Sequence, residues 1–136
     1  MQDTAKEYDE VINVCQDIFL KKMEDYGTAW RILRPTSITD QIYIKANRIR
    51  SIEEKGVRKV NEGVVPEFIG IVNYAIMGII QLRLGTNETV PDERIKQMYA
   101  SCFQDAKELM LAKNHDYDEA WREMRVSSYT DLILMK

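Results

Sequence analysis

The sequence predicts an all-α protein, an antiparallel helical bundle made of one full and one partial copy of a helical repeat. Three observations carry that expectation. Apolar residues recur at three-and-four spacing along most of the chain, glycine and proline interrupt that spacing at helix-length intervals, and the stretch 21–45 returns without a gap as 112–136.

The first helix is expected over residues 4–24. Tyr8, Val11, Ile12, Cys15, Ile18, Phe19 and Met23 form its apolar stripe. Thr4 with Glu7 three residues on reads as a capping box, Lys21 and Lys22 fall in the expected last turn, and Gly27 can take the positive φ that ends a helix. A loop through Arg34-Pro35-Thr36 leads to Ser37 and Asp40, a second start signature for a helix over 38–55. Its face is Ile38, Ile42, Ala46, Ile49 and Ile52, and Gly56 stops it.

Residues 56–65 are a polar connection. Pro66 suits the first position of a third helix, because its missing N–H costs nothing there. This helix, 66–84, is apolar almost all the way round and reads as the central core helix, too punctuated for a membrane span. Gly70, Tyr74 and Gly78 share one of its faces. Each glycine weakens a helix by about 1 kcal/mol relative to alanine, and close approach of another helix is the expected compensation. Gly85 closes the segment. Pro91 opens a fourth helix over 91–113, with the stripe Ile95, Met98, Tyr99, Cys102, Phe103, Ala106, Leu109 and Met110.

In the repeat, Lys22 pairs with Lys113, Asp25-Tyr26 with Asp116-Tyr117, Ala29-Trp30-Arg31 with Ala120-Trp121-Arg122, and Arg34 with Arg125. Ser37, Thr39-Asp40 and Lys45 pair with Ser128, Thr130-Asp131 and Lys136; where Gly27 faces Asp118, both types tolerate positive φ. The first repeat is therefore 4–85 and the start of the second 91–136, within one domain of residues 1–136. Residues 8–45 and 99–136 should form equivalent helix–loop–helix units. Lys136 aligns inside the second helix, so a longer native protein is expected.

A net charge of −3 argues against a broad nucleic-acid surface, which needs clustered Lys and Arg. With no signal-peptide pattern, a cytoplasmic location without a membrane partner is the default. The two cysteines, Cys15 and Cys102, sit in apolar stripes and are expected to be buried thiols. The chain has no Gly-rich phosphate loop, no Cys-x-x-Cys and no Ser-His-Asp set, and no residue stands out as catalytic. His115, the only histidine, reads as solvated.

Both copies keep polar residues in one short connection. Trp30 offers a face for a base, and Arg31 and Arg34 offer forked donors for phosphate. Against that stands a structural reading: Asp25 and Arg34 clasp each other while Trp30 plugs the space between helices. Lys45 and Arg48 lie one turn apart on the second helix, which ends in Glu53-Glu54; Glu62 lies in the connection and Glu67 opens the third helix. If these helices are antiparallel neighbours, Glu53, Glu54 and Glu67 can converge on Mg²⁺. A solvated charge cluster is the competing reading.

The strings MEDYGTAW, SITDQIYIKANRI and EFIGIVNYAI resemble the first described family of nucleotide modification associated domains, over nearly the whole chain. The resemblance implies a role in nucleotide metabolism or base modification, with a duplicated motif. More distantly, the chain resembles MazG-type all-α nucleoside triphosphate pyrophosphatases. That likeness implies Mg²⁺ held by Glu53-Glu54 and Glu67, but the aspartate it calls for falls on Gly70, so this copy is expected to be impaired. Two expectations compete: a nucleotide-binding or nucleotide-hydrolysing domain with Trp30, Arg31, Arg34, Lys45 and Arg48 on the substrate, and a non-enzymatic helical scaffold or oligomerisation module. Helix three, apolar all round, is in either case expected to be covered partly by self-association into a homo-oligomer.

Overall fold

A computed structural model describes residues 3–56, 63–86 and 88–136. Among them are five helices and no strand: α1 Thr4–Tyr26, α2 Pro35–Lys55, α3 Val65–Leu84, α4 Asp92–Tyr117 and α5 Val126–Met135. Single 3₁₀ turns, Ala29–Ile32 and Ala120–Glu123, join α1 to α2 and α4 to α5.

α3 lies between two cores. On one side Ile76 and Ile80 join Cys15, Phe19 and Met23 of α1 and Ile95, Met98, Tyr99, Cys102 and Phe103 of α4. On the other side Ile71 meets Ala46 and Ile49 of α2, with Ile133 and Leu134 of α5 packed against them. Serving two cores explains why α3 is apolar all round. At 20 residues, with a mean hydropathy of 1.5 over its most apolar window, it does have the length and composition to cross a membrane. A share of 33% of that window is buried inside the fold, and Val65, Ile79 and Leu82 are exposed.

The glycines on α3 are where α2 comes close. A Cβ on Gly78 would stand 3.4 Å from Cγ2 of buried Ile38, and one on Gly70 would stand 2.8 Å from Cε of Lys45. Rising numbers on α3 thus meet falling numbers on α2, so the two helices are antiparallel. α1 and α4 are antiparallel as well: the Tyr8 hydroxyl donates to the Phe103 carbonyl at 3.0 Å, and Phe19 stacks on Tyr99 with centroids 4.4 Å apart. α5 runs against α2, with Thr130 donating to Glu53 at 3.4 Å and Arg50 lying 3.8 Å from Asp131. Cys15 and Cys102 are free and buried, as expected, and burial pushes both thiols above their usual range.

The two copies share a backbone hydrogen-bond scheme. Gly27 N–H reaches the Met23 carbonyl and Asp118 N–H the aligned Asn114 carbonyl; Leu33 reaches Trp30 as Met124 reaches Trp121; Ser37 reaches Arg34 as Ser128 reaches Arg125. Gly27 at φ 60° and Asp118 at φ 51° both take the positive angle that the alignment requires. Their tryptophans differ. Trp30 is half-buried against the first core, edge-on to Phe19, whereas Trp121 is 40% exposed with the Arg122 guanidinium 4.5 Å above its ring. The local fold is repeated, but matching environments for the two tryptophans are not found, because α3 packs beside Trp30 and, among the described residues, no equivalent helix packs beside Trp121.

The helix starts differ from expectation. Asp3, not Thr4, caps α1, its carboxylate accepting from the Lys6 N–H at 3.1 Å. Thr4 is drawn away: its hydroxyl donates to Glu119 and accepts from Arg122 at 2.9 Å. α1 continues to Tyr26, so Lys21 and Lys22 lie inside it and no base sits in its last turn. α2 begins at Pro35 behind an extended Arg34, and α5 at Val126 behind an extended Arg125, so Ser37 and Ser128 are not caps. A proline at the first helical position is preorganised for the turn and makes a side-chain cap unnecessary for α2. Pro91 likewise precedes α4, and Val65 precedes Pro66 in α3.

Arg122 ties the second copy to α1. It donates to Glu119, to Thr4, and to both carboxylate oxygens of Glu7 at 3.0 and 3.1 Å. Hydrogen bonds from Thr4, Arg122 and Asn114 hold the Glu119 carboxyl down at about 2, from an ordinary value of 4.5. A depressed carboxyl stabilises the fold above its unfolded value and loses that contribution as pH falls through the folded value. Stability should therefore drop between pH 4.5 and about 2, and Glu119→Gln should flatten that part of an acid-denaturation profile. On the α2–α3 seam, Gly78→Ala should stabilise by up to about 1 kcal/mol through helix propensity, and Gly78→Leu should cost about 1–3 kcal/mol through overpacking against Ile38. Urea denaturation measures both.

Candidate functional site

A cavity of about 550 Å³ opens where the C-terminal half of α1, the Trp30 turn, the middle of α2 and the first half of α3 meet. Phe19, Tyr26, Trp30 and Tyr74 supply aromatic wall, Lys22 and Lys45 supply ammonium groups, and Asn73 is a polar group in the wall. Such a mixture, mostly apolar with a few placed polar groups, is typical of small-molecule sites.

Lys45 and Asn73 are positioned by their neighbours. Lys45 points from α2 across the space Gly70 leaves open, and its Nζ stands 5.9 Å from the centroid of the Tyr74 ring. Asn73 is buried, and its amide orientation is fixed from both ends. The Tyr99 hydroxyl donates to Oδ1 at 2.7 Å, and Nδ2 donates to the Cys15 carbonyl at 3.1 Å. Burial holds the Tyr99 phenol well above its usual range, so it remains a donor. An amide has two donor hydrogens and two acceptor lone pairs, so Asn73 keeps one of each beyond this network.

Of the residues expected on a substrate, the structure brings Trp30 and Lys45 together here. Arg31 lies outside this cavity. It is buried and donates to Gln81 Oε1 and to the carbonyls of Gly85 and Glu88 at 2.9 and 2.6 Å. Gln81 answers with bonds to the Arg31 and Leu33 carbonyls at 2.7 and 2.6 Å. The structural clasp of the repeated motif is thus Arg31 with Gln81, in place of the expected Asp25–Arg34 pair; Arg34 is exposed at the head of α2. Arg48 donates to Glu67 at 2.6 Å, with Lys45 Nζ 3.6 Å from the same carboxylate.

The three expected metal carboxylates stand apart. Glu67 is buried beneath Arg48 and Lys45, Glu53 accepts from Thr130 of α5, and Glu54 is exposed and paired with Arg50 at 3.1 Å. Glu62 falls outside the described residues. Among the described residues no group of three or more His, Cys, Asp or Glu could hold a metal ion. The donor set does not fit Mg²⁺. A divalent ion needs several oxygens turned toward one point, and here the one buried carboxylate already faces two cations. At Gly70, where the resemblance calls for an aspartate, a Cβ would stand 3.2 Å from the Lys45 ammonium nitrogen.

Lys22, Tyr26, Asn73 and Tyr74 were not singled out from sequence as site residues. Lys22 and Tyr26 did carry a signal, since both recur in the second copy. Asn73 carried only that of an amide within an apolar helix. Tyr74 carried its place on the glycine face.

The fold and cavity define an all-α domain with a ligand-sized cleft beside a central helix. The family model for nucleotide modification associated domain 1 matches residues 22–82 and again 113–136, and the chain belongs to that family. The second segment begins at Lys113, the repeat partner of Lys22, which independently supports the duplication. No curated protein and no solved structure matches the chain.

Replacing Arg31 strands Gln81 and two carbonyls. Arg31→Ala should destabilise by about 3 kcal/mol, and Arg34→Ala, at an exposed position, by less than about 0.5 kcal/mol. Equal effects in chemical denaturation would contradict this assignment of the clasp.

Proposed function

We propose that this chain is a nucleotide-binding domain, and that the cavity between α1, α2 and α3 takes the nucleotide. One observation carries the reading: aromatic surface from Trp30, Tyr26 and Tyr74 lies in the same cleft as Lys22 and Lys45. Bases of every kind stack on aromatic faces, and ammonium groups attract phosphate. The family's association with nucleotide modification points the same way. In this reading Trp30 carries the base, Lys22 and Lys45 face the phosphate, and Arg48 restrains Glu67 so that its charge does not repel the ligand. Binding is the part of this reading that the cleft's aromatic and ammonium groups support.

The scaffold reading has one specific observation behind it. Arg31 and Arg122, one of the two repeated arginine pairs, are both bonded to groups of their own chain. That accounts for the arginine of the motif but leaves the Trp30 cleft without a purpose.

The test uses a Trp121→Phe variant, in which Trp30 is the only tryptophan. Titration with deoxynucleotides should change its emission saturably, and Lys22→Ala should weaken binding about tenfold, the scale of one charged phosphate contact. No response to any nucleotide at millimolar concentration would favour the scaffold.

A further inference from the structure

We infer that Asn73 is the residue by which the cleft reads its ligand, and that the ligand's base must present an N–H donor beside an acceptor. Methylation of that donor nitrogen then excludes the ligand. This rests on reading the cleft as a nucleotide site and adds what selects the nucleotide.

The bonds around Asn73 supply the first part. Asn73 stands on α3 among Ile69, Val72, Ile76 and Met77, is only 6% exposed, and lines the cleft. The Cys15 carbonyl can only accept, so Nδ2 must face it, at 3.1 Å, and Oδ1 turns to the Tyr99 hydroxyl at 2.7 Å. The amide thus has one orientation. Neither Cys15 nor Tyr99 lines the cleft. The bonded sides of the amide therefore face the core, and its second donor hydrogen and second lone pair are left for the cleft.

Position supplies the second part. Phe19 stacks on Tyr99 with centroids 4.4 Å apart and stands edge-on to Trp30 at 6.2 Å, so the Asn73 network and the Trp30 face belong to one end of the cleft. About 4.5 Å of helix rise separates Asn73 from Gly70, over which Lys45 lies. A base against Trp30 can thus offer its edge to Asn73 while its phosphate reaches toward Lys45. Thymine and guanine carry a ring N–H beside a carbonyl, and adenine and cytosine carry an amine beside a ring nitrogen. An asparagine amide pairs with such an edge through two bonds at once, as it does with adenine. Asn73 does not choose among the four bases. It chooses an open edge over a blocked one, and a site built on buried hydrogen bonds rejects an analogue that lacks the group more sharply than an apolar pocket does.

Calorimetry on the whole chain compares each of the four deoxynucleotides, as mono- and triphosphate in millimolar Mg²⁺, with its counterpart methylated on the donor nitrogen. Those counterparts carry one methyl on the ring N–H of thymine or guanine, or two on the amine of adenine or cytosine. Every base that binds should lose at least about tenfold in affinity on methylation. Asn73→Leu should bring the two forms within about twofold of each other while circular dichroism shows the helices intact. Tyr99→Phe removes a bond that fixes the amide and leaves the cleft lining unchanged, and it should lower the ratio about threefold. An asparagine that only supports packing would alter stability and leave the ratio as it was. Equal affinity for the two forms in the unmutated chain overturns this inference and leaves the nucleotide site standing, whether or not Asn73→Leu folds. A ratio that survives Asn73→Leu does the same. No binding of any of these deoxynucleotides overturns both.

Discussion

Gly70 and Gly78 leave two gaps on one face of α3, on either side of Tyr74, and the close seam with α2 that results sets the rest of the molecule. Because α2 can lie so near, Ile38 is buried against the helix and Lys45 is carried over it into the cleft. The remaining surface of α3 is then free to serve both cores, one with α1 and α4 and one with α2 and α5. A side chain at Gly70 would displace Lys45 from the cleft it shares with Trp30, the two expected site residues that the fold does unite.

The same seam explains why the carboxylates among the described residues do not gather into one group. Antiparallel packing places Lys45 and Arg48 of α2 beside Glu67 of α3, so the acid is met by bases as soon as it is buried. Ion pairing is a direct way to bury a carboxylate, since an unpaired one would cost several kcal/mol. Glu53 lies further along α2 and accepts from Thr130 of α5.

Much of the architecture was legible from residue pattern. The all-round apolarity of α3 announced its central place, the glycine face announced a close partner, and the pairing of Gly27 with Asp118 foretold a shared positive φ. What escaped was decided by contacts far apart in the chain. Thr4 has the form of a cap, but Glu119 and Arg122 compete for its hydroxyl from the other end of the sequence. Spacing cannot say whether Arg31 or Arg34 turns inward, because that depends on Gln81 and the carbonyls of Gly85 and Glu88. Asn73 and Tyr74 were hidden within an apolar helix, their meaning set by Tyr99 on α4 and Lys45 on α2.

The repeat gives the cleft an internal comparison. Lys113, Tyr117 and Trp121 reproduce Lys22, Tyr26 and Trp30 on an equivalent backbone, yet Trp121 is exposed where Trp30 is half-buried, and among the described residues no α3-like helix lies beside it. If the cleft beside α3 is the site, the motif without that wall should bind nothing. A crystal structure of the chain soaked with a deoxynucleotide tests this most directly. The account requires the base against Trp30 and the phosphate within hydrogen-bonding reach of Lys45, with the Trp121 region empty. A ligand seated against Trp121, or a phosphate remote from Lys45, would contradict it.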